Sequence, residues 1–439
     1  MGSQTLALLN STTGAFLILG ALALLVWFVG PWPSTALPRP LILFLTVFTF
    51  SSIVPGSIGL YIQILGLMIG YIMWLLTPKT DRRGGIVVLA CALVTAYWAL
   101  LIFHPNVPSF DVGMLGFRKT VLALGGIVLG CAIKPSLVPK VELLVVRLVS
   151  LAAAISLVGY FFIPEIAELV PRAADKYTAL YRGEERLQGL FSGPFHVAAA
   201  GILLIGWALI RRKQHPKTAL VALVIGVLVT YFTYVRSAYV AIALVLAVAV
   251  FASASGAVRT KRLYLLAVGC VATFAVMTYG SGSLTTTVDS ISGYSTDGRF
   301  QNRIPEWLEG RDLMFSSPFY GWGAGSAGDT LGSLFGISAQ HVTPHNLLLK
   351  FAVEGGLIGL GLVLFLAVAV LRRLTLKTAQ GQVAVVSAVG LLAMGLTGSA
   401  IDTLPISYLA FLLVGLGVTT RATEKARAPE QIRVPSQVS

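Results

Sequence analysis

The sequence predicts an all-α polytopic integral membrane protein with about twelve or thirteen transmembrane helices. Hydrophobic residues make up 56% of the 439-residue chain, and charged residues only 11%. A water-soluble protein of this length could not bury so large an apolar fraction in its core. Apolar runs of roughly 20 residues, long enough to cross a ~30 Å hydrocarbon layer as helices, recur from end to end. These spans must be helical, because the bilayer offers no water to satisfy backbone groups.

Short polar breaks separate the predicted spans. The spans cover about 12–30, 40–55, 57–77, 84–103, 118–134, 141–163, 193–211, 218–235, 237–255, 263–281, 346–371, 382–398 and 403–419. Residues 40–77 allow either two short helices or one broken helix, which leaves the total open by one. The stretch MGSQTLALLNSTTG carries no charged side chain, and the missing basic n-region argues against a cleaved signal peptide.

The distribution of basic residues predicts the orientation. Lysine and arginine are concentrated in the breaks at 78–83, 211–217, 258–262, 371–377 and 421–427, which should face the cytoplasm. Counting helices between these breaks places the opposite set outside, in the periplasm of a Gram-negative host: 104–117, 164–192, 235–237, 282–345 and 399–403.

The expected domain organisation follows from this orientation. Residues 1–281 would form the N-terminal transmembrane helices, with a periplasmic loop at 164–192. Residues 282–345 would form one large periplasmic loop containing short helices, and residues 346–419 the C-terminal transmembrane helices. We expect residues 420–439 to be a disordered cytoplasmic tail.

The three cysteines, Cys91, Cys131 and Cys270, all fall inside predicted spans. Their spacing matches neither a disulfide framework nor a zinc site. We therefore expect them to be small core residues.

Basic residues are also unexpectedly frequent on the predicted outer side, where the positive-inside rule leads us to expect few. These residues are Arg172, Lys176, Arg182, Arg186, Arg236, Arg299, Arg303 and Arg311. Several could form surface ion pairs with the acids Glu184, Glu185, Asp289, Glu306, Glu309 and Asp312. Otherwise, the excess indicates an anionic partner.

Arg236 is the least easily explained of these residues. It stands in TYFTYVRSAYVAIAL, between two long apolar segments and with no acid nearby in sequence. A guanidinium at such a depth must be paired or functional. Its planar fork can donate two parallel hydrogen bonds to phosphate oxygens. A membrane-embedded pyrophosphate is therefore the expected partner.

The large loop contains a second candidate group in GRFQNRIPEWLEGRDLMFSSPFYGWGAG. Arg299, Arg303, Trp307 and Arg311 follow at spacings of four residues. If residues 303–314 are helical, the last three share one face, which offers phosphate donors beside an aromatic plate for sugars. The alternative is an amphipathic helix lying on the membrane.

The glycine-rich stretch GWGAGSAG, residues 321–328, follows no predicted strand. It is therefore not expected to bind a nucleotide. A tight turn between Pro318 and the next helix would account for its glycines.

His345 and Asn346 stand where the large loop enters the membrane, after Pro344 and before an apolar helix whose N-terminal N–H groups attract anions. A neutral imidazole can accept a proton from a sugar hydroxyl near pH 7. Asn346 could orient a sugar or a phosphate. The alternative is that His345 is a helix cap or an interfacial residue. Lys350 and Glu354, four residues apart in the helix, are expected to neutralise each other.

The stretch HNLLLKFAVEGGLIG fits the pattern H-N-x9-G-x-x-G, with His345, Asn346, Gly356 and Gly359 at the marked positions. It resembles the signature of the bacterial O-antigen ligase family. Segments 186–200, 234–244 and 303–325 look like the same superfamily in the same order.

The resemblance implies a GT-C-like membrane glycosyltransferase that uses a polyprenyl-pyrophosphate glycan donor. It carries essential roles onto His345 and Arg236, onto the loop arginine Arg303, and more weakly onto Arg186. The remaining expected substrate-binding residues are Arg299, Arg311, Asn346 and Trp307. Phe195 and His196 depart from the family pattern, which often has asparagine there, so no role is assigned to His196.

The same superfamily contains O-antigen polymerases and protein O-oligosaccharyltransferases, which remain open alternatives. Protein-glycosylating members tend to carry an additional C-terminal region that this chain lacks, and polymerases more often depart from the histidine signature. An O-antigen ligase is therefore expected, with undecaprenyl-pyrophosphate-linked O-antigen as donor and lipid A-core as acceptor. Its site would face the periplasm from the bacterial inner membrane, and its C-terminus would be cytoplasmic.

We expect no cofactor, no metal and no nucleic-acid partner. Arginines can neutralise a departing pyrophosphate in place of a metal ion, and the outer loops contain no D-x-D motif. A glycolipid transporter is the alternative from another class. It would need charges in both halves of the bundle, whereas the spans between residues 12 and 103 are almost free of charge.

Overall fold

The computed structural model of the protein describes residues 37–54, 57–78, 84–163, 166, 169–170, 180–181, 184–251, 303–327, 335, 346–396 and 400–427. Its helices are α1 Arg39–Thr49, α2 Ser57–Leu76, α3 Gly85–Leu101, α4 Phe110–Val121, α5 Leu124–Ala132, α6 Val138–Phe161, α7 Pro194–Arg211, α8 Pro216–Phe232, α9 Arg236–Phe251, α10 Arg303–Ser316, α11 Leu347–Leu371, α12 Ala379–Gly395 and α13 Ile406–Arg427. Short 3-10 helices cover Ser51–Ile53, Pro135–Leu137 and Ala400–Asp402. Two two-residue strands, Leu180–Tyr181 and Glu184–Glu185, pair antiparallel within the predicted loop 164–192.

The described part of the chain is a helical membrane protein, as predicted. Three helical segments are long and apolar enough to cross a membrane, at 135–161, 194–211 and 347–371, and the bent pair α4 and α5 would add a fourth. The other apolar helices have 10–17 residues each in their apolar parts. The predicted spans at 12–30 and 263–281 lie outside the described residues. The count of twelve or thirteen spans therefore remains a prediction.

The predicted span at 118–134 is wrong as a single helix. The structure has two helices there, α4 and α5, which meet at an angle of 52°. α5 is apolar and all of its residues are buried, whereas α4 carries Arg118 and Lys119 in its last turn. The bend therefore separates α5, which packs in the apolar core, from α4, whose charged side chains need polar neighbours.

The core is centred on α5 and α13, which pack closely against each other and against α2 and α12. Side-chain hydrogen bonds to backbone carbonyls join these helices where no water competes. Tyr408 Oη donates to the carbonyl of Gly66 at 3.0 Å, and Thr419 Oγ1 donates to that of Gly130 at 3.1 Å. Cys91 and Cys131 are buried and free, as predicted, and Cys270 lies outside the described residues.

Helix α8 shows the apolar outer surface that a bilayer would cover. Leu220, Val221, Val224 and Val227 are each about half exposed or more in the isolated chain. Such a stripe would be unfavourable in water, and it is the expected lipid-facing surface of a membrane helix.

The end of α7 and the start of α12 meet around a cavity of about 460 Å³, whose lining includes Arg211, His215 and Gln380. Within it, Glu142 accepts hydrogen bonds from Trp207 Nε1 at 2.7 Å and Arg211 Nε at 2.6 Å, so the buried charges are paired. The 18 residues of α7 put this end about 27 Å from the start of the helix. Which end faces the periplasm remains a prediction.

Candidate functional site

Arg186 is held against the turn between α8 and α9. This side chain is buried, and its Nε donates a hydrogen bond to the carbonyl of Thr233 at 2.9 Å. The next residue, Leu187, donates its backbone N–H to the carbonyl of Phe232, also at 2.9 Å. Arg236 is the first residue of α9 and lies three positions after Thr233. The structure therefore brings the predicted residues Arg186 and Arg236 to one turn.

The two residues that depart from the family pattern have visible contacts here. The guanidinium of Arg186 lies over the ring of Phe195, with 5.7 Å to the ring centroid. His196 follows on α7, and its Nδ1 is buried without a hydrogen-bond partner among the described residues. Phe195 thus packs against a predicted site residue.

Asn346 is the N-cap of α11. Its Oδ1 accepts hydrogen bonds from the backbone N–H groups of Leu348 at 3.0 Å and Leu349 at 3.2 Å. These two donors are therefore satisfied within the chain, and an anion would not find them free. The capping role considered for His345 is filled by Asn346.

The charge of Lys350 acts on Glu354, as the predicted neutralisation requires, but the hydrogen-bonded partner of Lys350 is a different residue. Lys350 Nζ instead lies 2.7 Å from Asp402 Oδ1, in a contact that joins α11 to the hairpin before α13. Glu354 Oε2 accepts from Trp98 Nε1 at 2.9 Å and from Thr120 Oγ1 at 3.0 Å, and Oε1 has no donor among the described residues. Lys350 and Glu354 lie on the same face of α11, but each forms its side-chain hydrogen bonds with residues of other segments. Glu354 is fully buried, which disfavours its use as a base.

α11 is broken at Gly356, whose φ of 60° and ψ of −161° interrupt the helix. The segment after α10 docks into this break: Trp322 N–H donates to the carbonyl of Val353 at 2.9 Å, and Leu357 N–H to that of Pro318 at 2.7 Å. A Cβ at Gly356 would lie 2.3 Å from the carbonyl oxygen of Phe319. This close approach explains the first glycine of the signature.

The predicted explanation of the GWGAG glycines as a tight turn is incomplete. Gly321, Gly323 and Gly325 all have positive φ, and their loop packs against α3, α4, α10 and α11 rather than only reversing the chain. A Cβ on Gly116 of α4 would lie 2.3 Å from Gly325 N. The loop is therefore a packed connection between α10, α11 and α4.

Helix α10 confirms the prediction that residues 303–314 are helical. It is joined to the loop by Trp322 Nε1, which donates to the carbonyl of Leu313 at 2.9 Å. Arg311 is exposed and pairs with its neighbour Asp312 at 2.8 Å, which is the surface ion pair considered as the alternative. Trp307 is half-buried. Arg303 begins the helix, and its side chain is not among those described.

Two of the predicted site residues, His345 and Arg299, lie outside the described residues. Within the ranges given above, no group of three histidine, cysteine or acidic side chains could hold a metal ion.

Five residues near the site were not among those predicted from the sequence: Asp402, Arg118, Lys119, Trp98 and Thr120. Asp402 carried a usable signal, because a lone acid in a hairpin between two apolar spans needs a partner. Arg118 and Lys119 were obscured because the predicted span merged two helices into one. No sequence pattern marks Trp98 or Thr120, because their hydrogen bonds to Glu354 depend on which helices pack together.

Basic groups exceed acidic groups around this end of the bundle, which we call the site end and define by residues 186–196, 232–236, 346–354 and 400–402. The charged residues gathered there or on adjoining α4 are the basic Arg118, Lys119, Arg186, Arg236 and Lys350 and the acidic Asp111, Glu354 and Asp402. An anionic ligand would balance the excess.

A family model described as O-antigen ligase matches residues 219–364. The matched region contains most of α8, all of α9 and α10, the loop that docks on α11, and the broken part of α11. A comparison with curated proteins finds no match.

Proposed function

Because residues 219–364 match the domain of the O-antigen ligase family, we propose that the protein is a membrane glycosyltransferase that moves a glycan from a polyprenyl-pyrophosphate carrier to a hydroxyl acceptor. The observation that carries the proposal is the juxtaposition of Arg186 and Arg236 at one turn of an apolar bundle. Arg186 is buried and Arg236 begins the helix after the same turn, and an arginine can donate two parallel hydrogen bonds to the oxygens of a diphosphate ester.

The proposed reaction is a single displacement at the anomeric carbon. An acceptor hydroxyl oxygen forms the new bond to this carbon, and the bond from the carbon to the pyrophosphate oxygen breaks. The electron pair leaves with polyprenyl pyrophosphate. Arg236 and Arg303, together with Arg186, are proposed to neutralise the charge that develops on this leaving group. Attack from the face opposite the leaving group inverts the anomeric configuration.

His345 is proposed to take the hydroxyl proton as the acceptor attacks. Its neighbour Asn346 fixes the start of α11 through two backbone hydrogen bonds. This cap fixes the start of α11, and His345 is the residue before the cap in the sequence. Trp307, Arg299 and Arg311 are proposed to contact the glycan from the large loop.

The acceptor is proposed to be lipid A-core and the donor undecaprenyl-pyrophosphate-linked O-antigen, in the bacterial inner membrane with the site facing the periplasm. This is the ligase function within the family. A polymerase would use a second lipid-linked glycan as acceptor, and a protein O-oligosaccharyltransferase would use a polypeptide hydroxyl.

The donor and acceptor can be assigned by one assay on the purified full-length protein. Undecaprenyl-pyrophosphate glycan is supplied with lipid A-core, with no acceptor, or with a serine-containing acceptor protein. We expect glycan on lipid A-core alone. Longer lipid-linked chains without acceptor would identify a polymerase, and glycosylated protein would identify the third activity. Movement of the donor between leaflets without any transfer would favour the transporter.

A further inference from the structure

Arg118 lies on α4, which touches both functional segments of the matched domain. Two residues before it, Gly116 packs against Gly325 of the docked loop. Two residues after it, Thr120 donates a hydrogen bond to Glu354 of α11 at 3.0 Å. Arg118 is therefore on a helix wedged against the site end, although it lies outside the matched residues 219–364.

The hydrogen bonding of Arg118 is incomplete for a partly buried guanidinium. Its Nε donates to Gln63 Oε1 at 2.8 Å, and Gln63, which is buried on α2, donates onward to Ser51 Oγ at 3.4 Å. Among the described residues Arg118 forms no salt bridge with a carboxylate. Within that part of the chain, a neutral amide fixes the guanidinium through Nε and leaves the two terminal nitrogens without an acceptor.

Arg118 lies in a basic part of α4, next to Lys119. The two carboxylates of the site end already accept hydrogen bonds: Glu354 from Trp98 and Thr120, and Asp402 from Lys350. The terminal nitrogens of Arg118 are not among the fully buried atoms, so they are open to a ligand that supplies negative charge.

We propose that Arg118, oriented by Gln63, is a phosphate-binding residue of this site. The terminal nitrogens of a guanidinium fixed through Nε can donate two parallel hydrogen bonds to two phosphate oxygens. This inference rests on the proposed use of phosphate-bearing substrates. The phosphate belongs either to the pyrophosphate of the lipid donor or to a phosphorylated sugar of the acceptor.

The test measures equilibrium binding of undecaprenyl pyrophosphate to the full-length protein in nanodiscs, with undecaprenol as the probe that lacks phosphate. Arg118→Gln should raise the Kd for the pyrophosphate by about tenfold to a hundredfold, the range for a lost charge-assisted hydrogen bond, and leave undecaprenol binding unchanged. Arg212→Gln is the matched control. Arg212 is exposed at the far end of α7, and its replacement should change neither Kd.

Gln63→Met separates orientation from charge, because it keeps the side-chain length but removes the acceptor for Nε. It should weaken pyrophosphate binding in the wild-type background and have no further effect beside Arg118→Gln. This non-additivity is what an orienting role predicts, whereas a packing role would give the same loss in both backgrounds.

A second arm identifies which substrate carries the phosphate. If Arg118→Gln leaves the Kd for undecaprenyl pyrophosphate unchanged but raises the KM for phosphorylated lipid A-core and not for its dephosphorylated form, the residue binds the acceptor. If neither quantity changes, or if both change only in step with a lowered Tm, the proposal is overturned. The binding arm needs no turnover, so phosphate binding without transfer would refute the proposed function and keep this site. If Arg118→Gln binds pyrophosphate and transfers glycan normally, the Arg118 site is refuted and the proposed function stands.

Discussion

Lys350 Nζ and Asp402 Oδ1 lie 2.7 Å apart although 52 residues separate them in the chain. The lysine side chain is 3% exposed and the aspartate side chain 16%. The pair joins the first turn of α11 to the hairpin before α13. This contact therefore fixes the start of α11, which directly follows His345 and Asn346 in the sequence.

The first prediction concerns this ion pair. Lys350→Met or Asp402→Asn alone should destabilise the protein by about 3–5 kcal/mol, because either change removes the hydrogen-bonded ionic partner of a largely buried charge. The double variant Lys350→Met with Asp402→Asn should lose clearly less than the sum of the two. Thermal unfolding of detergent-purified variants measures both effects. Additive losses, or single variants as stable as the wild type, would mean that the contact contributes nothing to stability.

The second prediction concerns the break in α11. Gly356→Ala should destabilise the docked loop by at least about 1–3 kcal/mol, because its φ and ψ lie in a region open essentially to glycine alone. The added methyl group would also meet the carbonyl of Phe319 at 2.3 Å. Gly361→Ala, in the same helix, is the matched control: a Cβ added there would meet nothing within 4 Å, so this change should be neutral or slightly stabilising. Equal Tm values for the two variants would contradict the structural role of Gly356.

The sequence was sufficient for helix identity because long apolar runs have only one solution in a bilayer. It placed α2, α7 and α11 within a few residues of their observed bounds. The hydropathy pattern predicted one helix at 118–134 where the structure has α4 and α5, because hydropathy alone does not reveal a bend between two short helices. The hydrogen bond from Lys350 to Asp402 was not predicted for a different reason. Spacing within the helix suggests Glu354, whereas Asp402 is brought close by the packing of a hairpin that is distant in the chain.

The sequence marked unusual structural positions where a single residue was anomalous by itself. Arg236 between apolar spans and the glycine of the H-N-x9-G-x-x-G pattern both mark positions with a specific structural role. Arg118 was not predictable, because its significance lies in the neutral partner Gln63 on another helix. Such a signal exists only in three dimensions.

The third prediction is that Arg236→Lys loses most transfer activity although the charge is kept. An ammonium acts as a point charge and cannot reproduce the bidentate fork of a guanidinium toward phosphate. The variant should insert and unfold like the wild type, since Arg236 lies at the first position of α9 and not in its packed middle. A correctly inserted lysine variant with wild-type rates would remove Arg236 from the proposed site.

The fourth prediction is that chelation leaves transfer unaffected, because arginines rather than a divalent cation are proposed to neutralise the pyrophosphate. The measurement is the transfer rate before and after dialysis against EDTA. Activity that falls and then returns on addition of magnesium or manganese would overturn the metal-free mechanism. Attention would then turn to Asp289, Glu306 and Asp312.

The fifth prediction concerns His345. His345→Ala should lower the turnover of bound donor by roughly 10²–10⁴-fold, the usual contribution of a general base. The affinity for undecaprenyl pyrophosphate should be unchanged, because the arginines would still hold it. A rate that falls only in step with the Tm would instead indicate a structural residue, and a loss of donor affinity with normal turnover would indicate a phosphate ligand.

The central claim is that this protein catalyses transfer from a pyrophosphate carrier with His345 as the base. The most direct measurement is single-turnover transfer of labelled glycan from undecaprenyl pyrophosphate to lipid A-core, by the purified wild-type protein and by His345→Ala at equal donor occupancy. The account predicts labelled lipid A-core with the wild type and, with the variant, the same bound donor but a rate at least about a hundredfold lower. Donor that binds to a folded wild-type protein and is never transferred, or equal rates for the two proteins, would contradict it.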